Sequence, residues 1–225
     1  MESQTKKILI CGDSFAQDDP RHTGLHFSQK ISKSFPIIDW KICNMGVEGA
    51  SNRLIAQQLL QGMKYEPDFV ILLFSAATRR EFELDKKLYP APRSLNPEDI
   101  VNWNKTRYDF GGHMIHRNTD RKLMSPDDDI KNLESLLISA YCLEFLSQRK
   151  IGFCWSEGGL PEFDYAGNFM SDPFGDYQNK RIPLNLWPHG INDTKRDPTF
   201  HVADNDLQES FANMCLNHIL DNLDV

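Results

Sequence analysis

The chain has 225 residues, 40% hydrophobic and 25% charged, with a formal net charge of −7. This is globular composition, long enough to bury one sizeable core, and its acidic balance argues against charge-driven binding to nucleic acid or an anionic membrane, whose phosphates would repel it. No apolar run approaches the length that spans a bilayer.

The N-terminal MESQTKK lacks the apolar stretch of a secretory signal and leads straight into a strand-like run, Lys6–Gly12. Three further runs read as strands: Ile37–Asn44, Asp68–Ser75 and Lys150–Glu157. The first, third and fourth are nearly continuous in apolar residues, as strands covered on both faces should be. The second is more mixed and suits a strand nearer the sheet edge. Between the strands lie helical patterns. Leu25, Phe27, Ile31 and Phe35 mark the first. Leu54, Ile55, Gln58, Leu59 and Gly62 form the stripe of the second, which Ser51 or Asn52 can cap. The segment from Asp127 to Lys150 has the strongest 3.6-residue period, with aspartates at its start and Arg149 and Lys150 at its end, matching the helix dipole. A closing helix covers Asp206–Leu223.

Strands alternating with helices predict one α/β domain, a parallel sheet with helices on both faces. Two long insertions interrupt it, at about 82–128 and 158–196, rich in Pro, Gly and aromatic residues. Both follow strand C-terminal ends, where open α/β sheets bind ligands. Trp103, Tyr108, Trp155, Phe163, Tyr165 and Trp187 can stack on sugars at such a cleft or form a small core beneath the insertions. The five cysteines, Cys11, Cys43, Cys142, Cys154 and Cys215, lie in apolar strand-like or helical runs and read as buried free thiols in a reducing cytoplasm, a cell's own or one occupied by a phage. His113 and His116 have the spacing of a metal pair, but no carboxylate pattern completes it, so no metal is expected.

The chemistry concentrates at strand ends. Gly12-Asp13-Ser14 follows the first strand, and Asp13 or Ser14 can simply cap a turn there. The same serine can be a nucleophile. After the second strand comes Asn44-Met-Gly46-Val-Glu-Gly49, whose glycines expose backbone N–H groups able to hold a developing oxyanion beside the Ser14 N–H. Near the C-terminus, His201 precedes the last helix with Asp197 four residues earlier, a base and an orienting carboxylate in suitable order. Gly-Asp-Ser-Phe-Ala also approaches the α/β-hydrolase nucleophile elbow, but that fold places several strands before its serine and here only one precedes it. The first turn has no dinucleotide or P-loop glycine spacing, which disfavours a nucleotide binder.

These blocks, in this order, resemble the SGNH (GDSL) hydrolases. The resemblance implies a flavodoxin-like three-layer sandwich that cleaves esters, often acyl or acetyl groups on lipids or sugars, without metal or organic cofactor. It assigns Ser14 as nucleophile, Gly49 as the oxyanion glycine, His201 as base and Asp197 as its orienting partner. The chain departs from the family twice. The third block, Phe74-Ser-Ala-Ala77-Thr78, has Ala77 where an oxyanion asparagine is usual, so Ser75 or Thr78 is left to supply a hydroxyl. The stretch Ser75-x-x-x-Arg79-x-Glu81 resembles a phage-encoded variant of that block, in which Arg79 or Arg80 can bind an anionic substrate; the same arginines can instead pair with Glu81 or Glu83 at the surface. Asp197 and His201 stand one residue farther apart than the family's Asp-x-x-His; Asp193 is an alternative carboxylate and His189 an alternative base. The expected activity is therefore a serine esterase on a small-molecule or glycan ester. The other reading is a catalytically silent binding or structural module on the same fold, in a virion for example.

Overall fold

The structure is a computed structural model, and it describes residues 4–18, 23–34, 38–47, 50–75, 128–157, 174–184, 186 and 204–222. Most of the two expected insertions lies outside these residues.

Four strands form one parallel sheet: β1 (Gln4–Gly12), β2 (Ile38–Asn44), β3 (Phe69–Leu73) and β4 (Gly152–Ser156), in the order β2-β1-β3-β4. The helices are α1 (Phe27–Lys33), α2 (Asn52–Gly62), α3 (Asp128–Gln148) and α4 (Asn205–Asn222). This is the three-layer α/β architecture the sequence predicts. The mixed second run is indeed at an edge of the described sheet, and every residue of β3 is buried.

The two-residue period of the strands divides the core. Ile8, Ile10, Phe69, Ile71, Leu73 and Cys154 belong to the layer with α1 and α4, whose Phe27, Ile31, Phe211 and Ile219 are buried there. Leu9, Cys11, Val70, Leu72, Phe153 and Trp155 belong to the opposite layer, with Ile55 and Leu59 of α2 and Leu143 and Leu146 of α3. Trp155 is fully buried, and its indole N–H donates to the Tyr177 carbonyl at 2.9 Å. Of the two roles open to it, core rather than sugar platform is the one observed. Its neighbour Phe174 begins a 3-10 turn over Gly175–Lys180, so part of the second insertion packs beneath the sheet edge. Leu25, expected on the first helical stripe, precedes α1 and is exposed, because the helix starts only after the His26 cap. All five cysteines are buried and free. No described helix is long and apolar enough to cross a membrane.

The strand order reverses direction between β1 and β3. Sheets of this kind open a crevice at that point, beyond the strand carboxyl ends. Ser14 and Ser75 both emerge there.

Candidate active site

Ser14 lies in a single tight turn after β1. The Asp13 carbonyl accepts from the N–H groups of Ala16 and Gln17, both at 3.1 Å, and the Asp13 carboxylate accepts from the Phe15 N–H at 3.0 Å. Capping of this turn thus falls to Asp13. Among the described residues neither the N–H nor the hydroxyl of Ser14 has a hydrogen-bond partner, and Ser14 keeps 8% of its exposure. A serine that is not needed as a cap, with a free amide beside its hydroxyl, has the local form that nucleophilic attack and oxyanion binding require.

Three polar side chains from elsewhere in the chain fix this turn. Gln58 of α2 closes a two-bond ring on Gly12, accepting from its N–H at 2.8 Å and donating to its carbonyl at 3.1 Å. Asn44, at the end of β2, donates to the Ala16 carbonyl at 2.7 Å and accepts from the Gly46 N–H at 2.9 Å. Gly46 then packs so closely that a Cβ there would sit 2.5 Å from the Gln17 nitrogen and 2.6 Å from the Ala16 carbonyl carbon. That contact explains the glycine: backbone occupies the space a side chain would need. Val47 adds an N–H to the Gly12 carbonyl at 3.0 Å.

The third is His26, 1% exposed. Its Nδ1 accepts from the Ser28 N–H at 3.3 Å and lies 2.7 Å from the Ser28 hydroxyl, which leaves Nε2–H to donate to the Phe15 carbonyl at 2.9 Å. Burial lowers its pKa; the nearby Asp18 charge and the bond to Phe15 oppose that only in part. The ring is therefore neutral near pH 7, a structural strut between the serine turn and the start of α1. The same helix start is tied to α4, because the Phe27 N–H donates to Gln208 Oε1 at 2.9 Å and the Lys30 ammonium reaches Asn205 and Glu209. Asp204 caps α4, its carboxylate accepting from the Leu207 N–H at 2.9 Å.

Ser75 ends the described part of the third block. Asn52, in the first turn of α2, accepts from the Ser75 N–H at 2.7 Å and donates to its carbonyl at 3.0 Å and to the Ser135 hydroxyl at 3.0 Å. The Phe74 N–H reaches the Ser156 carbonyl on the β4 side at 2.8 Å. Past the end of β1, then, the Asn52 carboxamide takes the place of a neighbouring strand. The Ser75 hydroxyl is buried without a partner among the described residues.

Of the expected site residues, the structure therefore describes Ser14 and Ser75. Gly49, Thr78, Arg79, Asp197 and His201 lie outside the described residues, as do Ala77, Arg80, Asp193, His189, His113 and His116. Sequence reasoning missed Asn44, Asn52, Gln58 and His26 as builders of the site. Gln58 did leave a signal, a polar residue on an otherwise apolar helical stripe.

No family model matches the sequence, and no curated protein matches it significantly. Solved structures of similar fold include esterases. The psychrotrophic esterase EstA from Pseudoalteromonas sp., inhibited by monoethylphosphonate, is 12% identical, covers 98% of this chain and 100% of its own, and has a TM-score of 0.53. A two-domain esterase active on acetylated mannans, co-crystallised with mannopentaose, is 11% identical over 98% of this chain and 50% of its own, with a TM-score of 0.49. TesA is 13% identical over 97% and 100%, with a TM-score of 0.49. At 12% identity the likeness to EstA is one of fold, and that fold is the α/β architecture the sequence predicts.

Proposed function

We propose that the protein is a serine ester hydrolase of SGNH type. The observation that carries this reading is the Ser14 turn: a serine at the switch point of the sheet, released from capping by Asp13, with an N–H beside its hydroxyl that has no partner among the described residues. In the proposed reaction the Ser14 hydroxyl oxygen attacks the ester carbonyl carbon while His201 takes the hydroxyl proton. The carbonyl electrons move to oxygen, and the N–H groups of Ser14 and Gly49 hold that charge. Collapse expels the alcohol, protonated by His201, and leaves an acyl-serine. Water, deprotonated by the same imidazole, then releases the acid and restores the serine. Asp197 orients His201. Thr78 and Arg79, which follow β3 in the chain, border the substrate, and Arg79 favours one that carries a negative charge.

The tether of α4 supports the choice of base. His201 precedes the Asp204 cap by three residues, a reach of at most about 11 Å of extended chain. That cap is joined through Gln208, Phe27 and His26 to the Phe15 carbonyl, next to Ser14. The substrate we propose is an O-acetyl ester on a glycan, and no cofactor takes part.

The test is hydrolysis of p-nitrophenyl acetate and of acetylated oligosaccharides at about pH 7–9, where a neutral histidine base operates. Activity lost in Ser14→Ala and reduced by about 10²-fold or more in His201→Ala supports the reading. Ala77 in place of the usual asparagine favours the second reading, a silent module, which predicts no turnover of either substrate by the wild type.

A further inference from the structure

We propose that the Ser75 hydroxyl is an oxyanion donor of this site, with Asn52 as the residue that positions it; the inference rests on the esterase reading above. Register brings together the strand ends that carry the two serines. Gly12 pairs with Leu73 across the parallel ladder, and Ser14 and Ser75 each lie two residues beyond that pair. Adjacent strands are about 4.8 Å apart, so the ends of β1 and β3 open on the same small volume. Alternation along β3 points the same way. Phe69, Ile71 and Leu73 belong to the core layer that also contains Phe15 and Ala16 of the Ser14 turn, whereas Val70, Leu72 and Phe74 belong to the opposite layer. Ser75 is next in the first set.

The hydroxyl itself is anomalous. It is 1% exposed and has no partner among the described residues, although buried polar groups are nearly always paired. Its backbone leaves no slack, since both the N–H and the carbonyl are bound by the Asn52 carboxamide, which Ser135 anchors in turn. A donor held rigidly with its hydrogen uncommitted is suited to a charge that exists only in the transition state. Asn52 and Gln58 therefore act as a pair on one face of α2, one holding the Ser75 end of β3 and the other the Gly12 end of β1.

The test is steady-state hydrolysis of p-nitrophenyl acetate by the full chain, with Tm measured in parallel. In Ser75→Ala, kcat should fall by about 10²–10³-fold with KM nearly unchanged, the pattern of an interaction made only in the transition state. Tm should hold or rise, since an unpaired buried hydroxyl is removed. Asn52→Ala should lower kcat in the wild-type background but add less than about threefold to Ser75→Ala, because the two act as a unit. An active wild type whose Ser75→Ala variant keeps its kcat overturns the Ser75 assignment and leaves the esterase standing. Additive losses overturn the positioning role of Asn52. A wild type inert toward esters overturns the esterase reading and this inference together.

Discussion

The Gln58–Gly12 ring can be tested by stability alone, without any activity. Gln58 is 3% exposed and makes both of its bonds to a residue at the base of the serine turn. In Gln58→Ala the Gly12 carbonyl keeps the Val47 N–H, but the Gly12 N–H is left buried with no acceptor. An orphaned buried donor costs about 1–3 kcal/mol, and the truncated side chain adds about 1 kcal/mol of lost packing. The sum, roughly 2–4 kcal/mol, should lower Tm by roughly 4–16 °C in a chain of this size. Urea denaturation should show a lower midpoint with an unchanged slope. Gln58→Glu sharpens the test. Its carboxylate can accept from the Gly12 N–H, but it meets the Gly12 carbonyl with a charge, so its folded pKa is raised above the unfolded value near about 4.3. Below that value the protonated acid restores both bonds, and the stability so gained is lost as pH rises through the folded pKa. The gap to wild type should therefore be small at about pH 4 and widest above about pH 7. A loss under about 0.5 kcal/mol in Gln58→Ala, or a Gln58→Glu gap that ignores pH, would refute the reasoning.

Other consequences are as specific. Gly46→Ala drives a methyl into the backbone of Ala16 and Gln17, so it should cost about 1–3 kcal/mol by chemical denaturation and slow the reaction of Ser14 with a fluorophosphonate. Acidification should destabilise the fold from about pH 6.5 downward, because His26 and His218 have lowered pKa values, mainly from burial. Below that point the unfolded chain binds protons that the folded chain refuses, so stability falls with pH, and His26→Asn should flatten the slope measured by urea titration at successive pH values. The thiols should be silent to a disulfide reagent in the native state and react fully in denaturant. Burial pushes Cys43 to about 11 and Cys142 to about 12, and raises Cys11 and Cys215 well above the ordinary thiol value. Rapid modification of the native protein would contradict that picture.

The layers of this fold were legible because burial leaves a periodic trace. Val70 to Leu73 could be read as a central strand, and the mixed Ile37–Asn44 run as an edge, from composition alone. Ser51 was a visible cap, and its hydroxyl does accept from the Leu54 N–H at 3.4 Å. The Ser14 turn was legible as a place, since a Gly-Asp-Ser step follows the carboxyl end of a buried strand directly. What holds that turn was not. Asn44, Asn52 and His26 act by meeting backbone groups brought near by tertiary packing, and no local pattern announces which carbonyl a distant amide will find. Gln58 was half legible, its position on the stripe being plain and its partner, 46 residues earlier, not. Trp155 was left between two roles: an aromatic beside a strand end can meet a sugar or fill a core, and only its packing between β4 and the 3-10 turn decides for the core.

The most direct measurement is peptide mapping by mass spectrometry after reaction with a fluorophosphonate. One adduct per chain is expected, on Ser14, absent from Ser14→Ala and formed far more slowly in His201→Ala. A native, folded protein that takes no adduct, or takes it on another serine while Ser14 stays unmodified, would contradict it.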